Sequence, residues 1–202
     1  MLVSCRDHYD ALIDEGNDPV YDPQPLRDYM DKWDGQAFIE RLELDKNASV
    51  LEIGVGTGRL AKRIAPLCGA FYGIDISPKT INRGKENLAA YSHVNLWLGD
   101  FLSFNFSRTF DIIYSSLTFM HIKRKQQAIR IIAQLLNPGG RCVLSISKSN
   151  ESAISTGRRM VKIYPDTPKE LCDYATTAGL QTQEQTETEF AYILVFTKPV
   201  KV

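Results

Sequence analysis

The chain has 202 residues, 44% of them hydrophobic and 24% charged, with 24 basic side chains balancing 24 acidic ones. That length suits one domain with a substantial core and is short for two. A zero net charge gives no global field for nucleic acid or an anionic membrane, and no run of 18 apolar residues is present to span a bilayer. The first ten residues carry Arg6, Asp7 and Asp10 and no long apolar stretch, which does not read as a secretory signal. Cys5, Cys68, Cys142 and Cys172 lie far apart, without the spacing of a zinc site or a disulfide scaffold. No metal and a reducing, cytoplasmic location are therefore expected.

The balance is uneven along the chain. Residues 1–45 hold 12 acidic and 4 basic side chains, leaving 12 acidic and 20 basic for the other 157. The plain reading is solvated helix faces and N-caps. The sharper one is an acidic N-terminal cap over a more basic body, which near a site mouth steers polyanions away. Pro19, Pro23 and Pro25 make the next stretch extended or turning. Leu26, Tyr29, Met30 and Trp33, then Phe38, Ile39 and Leu42, have helical spacing, with Gly35 as a break.

From there strands and helices alternate. Ser49–Ile53 reads as a short buried strand, followed by the loop GVGTG at 54–58 and a helix over 57–65 that Pro66 helps end. A second strand covers 70–74, closed by Asp75. Ser77 and Pro78 start a helix as N-cap and first residue, running to about residue 90. A third strand is expected at Val94–Leu98 and a fourth at 110–114, with little room for a helix between them. A helix over 122–136 stops at Asn137-Pro138-Gly139-Gly140, before a fifth strand at 141–147. These are βαβ units, so the sheet should be mostly parallel with helices on both faces. Residues 148–168 are polar and loop-like, with a short strand at 160–164, and suit a cover over a site. Thr167-Pro168 opens a helix that Gly179 ends, and 180–187 and 190–197 form an antiparallel hairpin. The divisions are a cap at 1–45, a core at 46–148, a lid-like loop at 149–167 and a closing helix and hairpin at 168–202.

In an open α/β sheet ligands bind beyond the carboxyl ends of the strands. Gly54, Gly56 and Gly58 follow the first strand at once and allow a sharp turn and close approach to a ligand. The helix behind them offers free N–H groups. A P-loop is excluded because no Gly-Lys-Ser/Thr follows, and the dinucleotide fingerprint fails because Arg59 stands where its third glycine belongs. Asp75 can accept two hydrogen bonds from ribose hydroxyls. Asp100 can accept from an exocyclic amine, with Ile76 and Phe101 offering apolar surface to a purine.

Five motifs in order carry a resemblance. Residues 50–58 (VLEIGVGTG) resemble the first motif of class I S-adenosylmethionine-dependent methyltransferases, and 72–77 (YGIDIS) the second. Gly99-Asp100-Phe101 is similar to the adenine-binding motif, 110–115 (FDIIYS) to the fourth-strand motif, and 136–141 (LNPGGR) to the turn before the fifth strand. The resemblance implies a doubly wound α/β sheet of seven strands, six parallel and one antiparallel, with a helical cap. It implies S-adenosyl-L-methionine as cofactor and S-adenosyl-L-homocysteine as product. Glu52, Gly54, Gly56, Thr57, Gly58 and Ser115 would hold its amino-acid end, Asp75 its ribose, and Ile76, Asp100 and Phe101 its adenine. Tyr21 is the first choice for a further cofactor contact from the cap.

The acceptor is less constrained. In-line displacement needs both partners held close in a site that excludes bulk water. His121 can take a proton from an oxygen or nitrogen acceptor, or simply pack the following helix. His8 and His93 should be structural or solvent-facing, and Asp111 a support for the sheet. Tyr9, Tyr21, Tyr29 and Trp33 are candidates for the pocket wall, and Arg158 and Arg159 for binding a substrate carboxylate. The economical reading is a small-molecule acceptor, with no nucleic acid or membrane partner, in a monomer or homodimer. The alternatives are a nicotinamide-dependent oxidoreductase and a cofactor-binding partner subunit without catalysis.

Overall fold

The structure is a computed structural model, described over residues 1–200. In chain order the elements are β1 (Leu2–Val3), α1 (Cys5–Asp14), α2 (Gln24–Asp34), α3 (Gln36–Glu40), β2 (Ser49–Ile53), α4 (Ala61–Ile64), β3 (Ala70–Asp75), α5 (Pro78–Asn87), β4 (Val94–Leu98), β5 (Phe110–Ser116), α6 (Lys125–Leu135), β6 (Leu136–Ser147), β7 (Ala153–Ser155), β8 (Met160–Lys162), α7 (Pro168–Thr177), β9 (Gln181–Glu187) and β10 (Ala191–Thr197). Single 3-10 turns lie at Pro19–Tyr21, Ala65–Leu67 and Phe119–His121.

The main sheet has the order β4-β3-β2-β5-β6-β10-β9. The first five strands are parallel, and β10 runs antiparallel to both its neighbours. Six strands thus share one direction, as the motifs imply. From β2 the chain builds outward to β3 and β4, then crosses back to β5 on the other side. The β2–β5 seam is the switch point at which such sheets open a crevice. The strands there are buried on both faces, which is why they read as dense apolar runs. One core layer packs Ile129, Ile132, Leu171 and Ala175 of α6 and α7 on the sheet. The opposite layer packs Phe38, Leu42, Ile64 and Ile81.

Several boundaries move for local reasons. The helix expected from Thr57 starts only at Ala61, because Gly54, Gly56 and Gly58 have φ of +76°, +58° and +96°, outside the helical region. The helix after Ser77 ends at Asn87, where Leu88 leaves helical geometry (φ −106°). The expected 122–136 helix begins at Lys125, since Phe119–His121 forms its own 3-10 turn. The fourth strand runs on to Ser116. Asn137–Gly140 is not a free turn. It bulges inside β6, between the Leu136–Phe110 and Arg141–Ile112 pairings, and Gly139 N–H is held by the Lys198 carbonyl (2.7 Å).

A second, three-stranded sheet in the order β1-β8-β7 was not expected. It joins the N-terminus to the segment after β6, through Leu2–Met160 and Val3–Val161 pairings. Asp111 supports the sheet start as expected, accepting from the backbone and side chain of Ser49 (2.9 and 2.7 Å).

Candidate functional site

Three strand ends meet at the switch point: the glycine loop after β2, Asp75 and Ile76 after β3, and residues 116–123 after β5. With Asp100 after β4 and α1 above, they enclose a cavity of about 350 Å³. Glu52, Gly54, Gly56, Thr57, Asp75, Ile76, Asp100, Phe101 and His121 all line it. The glycine loop turns toward Asp75: Gly56 N–H donates to its Oδ2 (3.0 Å) and Ser77 N–H to its Oδ1 (3.0 Å). Each carboxylate oxygen keeps a further lone pair for a ligand. Burial raises the Asp75 carboxyl, and the backbone N–H bonds pull against that rise.

Glu52 is buried and accepts from the Tyr114 hydroxyl (2.8 Å). Burial pushes its carboxyl well above the usual range, against the Tyr114 bond and the nearby Arg59. Gly56 has open space where a Cβ would stand, whereas a Cβ on Gly54 would lie 2.1 Å from Thr118 Oγ1. Thr57 Oγ1 is buried without a hydrogen-bond partner.

Three expected contacts fall outside the cavity wall. Tyr21 is 68% exposed, beside the Lys62 ammonium (5.3 Å from the ring centroid). The turn at Pro19–Tyr21 presents Pro19 to the cavity instead. Gly58 faces α5, where a Cβ would meet Leu88 Cδ1 at 2.9 Å. Ser115 is fully buried and donates to the Ile53 carbonyl (3.0 Å), tying β5 to β2. Its neighbour Ser116 points the other way, as alternation along a strand requires, and lines the cavity.

Of the aromatic candidates Tyr9 lines the cavity. Tyr29 and Trp33 instead cluster with Phe190, at centroid distances of 5.7 and 4.6 Å. Arg159 pairs with Glu15 (2.6 and 2.7 Å) and does not reach the cavity. Arg158 lies outside the wall as well. His93 bonds the Ala65 carbonyl (2.9 Å), and His8 is buried edge-to-face on Tyr9.

Tyr9 Oη meets His121 Nε2 at 2.9 Å, and His121 Nδ1 has no partner. Burial lowers the His121 pKa to about 4, helped by His8 and Lys125, so the ring is neutral at pH 7. Burial likewise pushes the Cys5 thiol up to about 12. No single stretch of sequence signals the buried Asp34–Arg59 pair. Asp34 ends α2, Arg59 follows the glycine loop, and the guanidinium meets the carboxylate with both its amino groups, one at 3.0 Å. The Ser116 hydroxyl donates to the same carboxylate. One buried ion pair thus joins cap, glycine loop and strand end.

A family model described as a methyltransferase domain matches residues 44–196. The chain belongs to that family. A relative named an uncharacterized methyltransferase, from Anoxybacillus flavithermus, is 36% identical over 121 residues, 58% of this chain and 56% of the relative. The chain spans about half the length of the curated relatives it matches. Among solved structures, the N-methyltransferase NodS of Bradyrhizobium japonicum WM9, in complex with S-adenosyl-L-homocysteine, superposes with a TM-score of 0.72 at 23% identity, over 95% of this chain and 98% of that one. Magnesium protoporphyrin IX methyltransferase of Synechocystis PCC 6803, with bound SAH, gives a TM-score of 0.75 at 17% identity, over 96% and 97%. At these identities the likeness speaks to the fold.

Proposed function

We propose that this methyltransferase domain binds S-adenosylmethionine in the switch-point cavity and moves its methyl group to a nucleophilic oxygen, nitrogen or carbon of a small molecule. The observation that carries the reading is the convergence of Gly54–Gly56, Asp75 and Asp100 on one cavity, with Gly56 N–H bonded to Asp75 (3.0 Å). The donor set fits a nucleoside. Asp75 has lone pairs left for ribose hydroxyls, Ile76 and Phe101 give apolar surface beside Asp100 for a base, and the orphaned Thr57 hydroxyl awaits a polar partner. Glu52 and the backbone of the glycine loop face the amino-acid end.

When bound, the sulfonium supplies an electrophilic methyl group and leaves as a neutral thioether. The chain's own residues bind, orient and exclude water. Tyr9 and Cys5 of α1 close the cavity from above, and Met30, Leu117 and Ile122 give apolar wall. A partly enclosed, largely apolar site favours close, aligned reactants. His121 is neutral at pH 7, with Nε2 at the Tyr9 hydroxyl and Nδ1 buried without a partner. A pKa near 4 makes it a weak base for an alcohol. It suffices for a proton that becomes strongly acidic once the acceptor atom has gained a methyl cation.

The test is incubation with methyl-labelled S-adenosylmethionine and a panel of small amines, phenols, thiols and carboxylic acids. Label should pass to at least one acceptor and depend on Asp75. Tight binding of NAD, with none of S-adenosylhomocysteine, would overturn the reading.

A further inference from the structure

Lys125 opens α6, yet its side chain is only 11% exposed, and that of Asp166 is 1% exposed. The ammonium stands 2.6 Å from Asp166 Oδ1. It also donates to the carbonyls of Phe119 (2.6 Å) and Tyr164 (2.8 Å). Two of its three N–H donors are thus directed at carbonyls, and the carboxylate stands beside them as an ion pair. The Phe119 carbonyl also accepts from Ile122 N–H (3.0 Å), closing the turn that carries His121. Tyr164 N–H donates to the Met120 carbonyl (2.7 Å). The turn at 119–122 and the segment at 164–166 are therefore sewn together around one buried cation.

The connection continues through the small sheet. Segment 164–166 follows β8, β8 pairs with β1, and β1 leads through Ser4 into α1. From α1 the Tyr9 hydroxyl returns to His121 Nε2 (2.9 Å). This closes a circuit from Lys125 through the small sheet and α1 back to the turn that Lys125 holds. We propose that Lys125, together with Asp166, is a positioning residue that fixes the turn at 119–122 against the segment at 164–166, and so sets His121 and Ile122 in the cavity wall beside Tyr9. Lys125 does not itself line the cavity. Burial opposes both charges, and the role proposed for this pair is the geometry it specifies.

Hydrogen exchange and NMR on the full chain test this. In the wild type, the amides of Tyr164, His121 and Ile122 should exchange through one opening, with protection equal within about threefold. The Lys125→Gln/Asp166→Asn double variant strands no buried charge. In it those amides should lose protection at least tenfold, while β2 and β3 keep theirs. The ¹⁵N shift of His121 Nε2 should move toward its value in Tyr9→Phe, because the hydrogen bond is lost. Affinity for S-adenosylhomocysteine should fall at least tenfold, an arm that rests on the methyltransferase reading. An unchanged Nε2 shift or affinity in the folded double variant overturns the proposal. So does independent exchange of Tyr164 and His121 in the wild type, which decides the matter alone if the double variant does not fold. If the wild type binds no S-adenosylhomocysteine, the functional reading falls, while exchange and the Nε2 shift still judge the clamp.

Discussion

Asp75 carries more of the site than any other single side chain, because it holds the glycine loop through Gly56 and the start of α5 through Ser77 while facing the cavity. Asp75→Ala should weaken S-adenosylhomocysteine binding by roughly ten- to a hundredfold, since hydrogen bonds to a charged group contribute about 1.5–3 kcal/mol. Calorimetry on a variant with a native circular-dichroism spectrum checks it, and wild-type affinity would refute the assignment. His121 makes a separate claim about pH. Its folded pKa of about 4 lies below the ordinary 6.5, so the unfolded chain binds the proton more readily. Its contribution is fully present above pH 6.5 and is lost as pH falls toward 4, on the order of 3 kcal/mol in all. His121→Phe should therefore lose less thermal stability than the wild type between pH 7 and 4.5. Equal losses in the two proteins would show that the ring is not held neutral.

Among the elements, the glycine loop separates conformation from space. Gly56→Ala adds a Cβ in open space at φ +58°, so its cost is the left-handed backbone, about 1–2 kcal/mol. Gly54→Ala meets Thr118 at 2.1 Å as well and should be the more destabilising by at least about 1 kcal/mol, as overpacking usually is. Denaturant melts of the two variants compare them directly, and equal stability would mean that Thr118 yields freely. The loop was legible in sequence because its chemistry is local: three alternate glycines follow a dense apolar strand. Five strands of the main sheet were legible for a related reason, since buried strands are dense apolar runs, whereas the polar edge strand β9 was legible only as the partner of β10 across a short turn. The strands β1 and β7, of two and three residues, are too short to show a period. The site's long-range joints left no spacing to read, because Tyr9 and His121 stand 112 residues apart and Asp34 and Arg59 stand 25 apart. Ser115 and Ser116 are adjacent in sequence, and only the strand's phase decided which of them faces the cavity.

Across the whole molecule the opposed charge of cap and body finds its use in docking. Asp14, Asp18, Asp31, Asp34 and Glu15 pair with Lys79, Arg83, Arg63, Arg59 and Arg159, and Asp10 accepts from Ser77 and from the backbone of Lys79. Lys79–Asp14 and Arg63–Asp31 are open to solvent at both ends, and exposed pairs contribute about 0–1 kcal/mol each and are screened by salt. The buried Asp34–Arg59 pair differs: removing one partner strands a charge, at a cost of about 3–5 kcal/mol. Raising sodium chloride from 0.05 to 1 M should speed hydrogen exchange in α1 and leave β2 and β3 unchanged. Uniform loss of protection would mean that the cap and sheet open together.

The central claim is that the loop at 54–58 and Asp75 together cradle an adenosyl ligand. Isothermal titration of the wild-type chain with S-adenosylhomocysteine measures this most directly. One site per chain with micromolar or tighter affinity, and no heat from NAD under the same conditions, is the expected result. The absence of S-adenosylhomocysteine binding by a folded protein would contradict it.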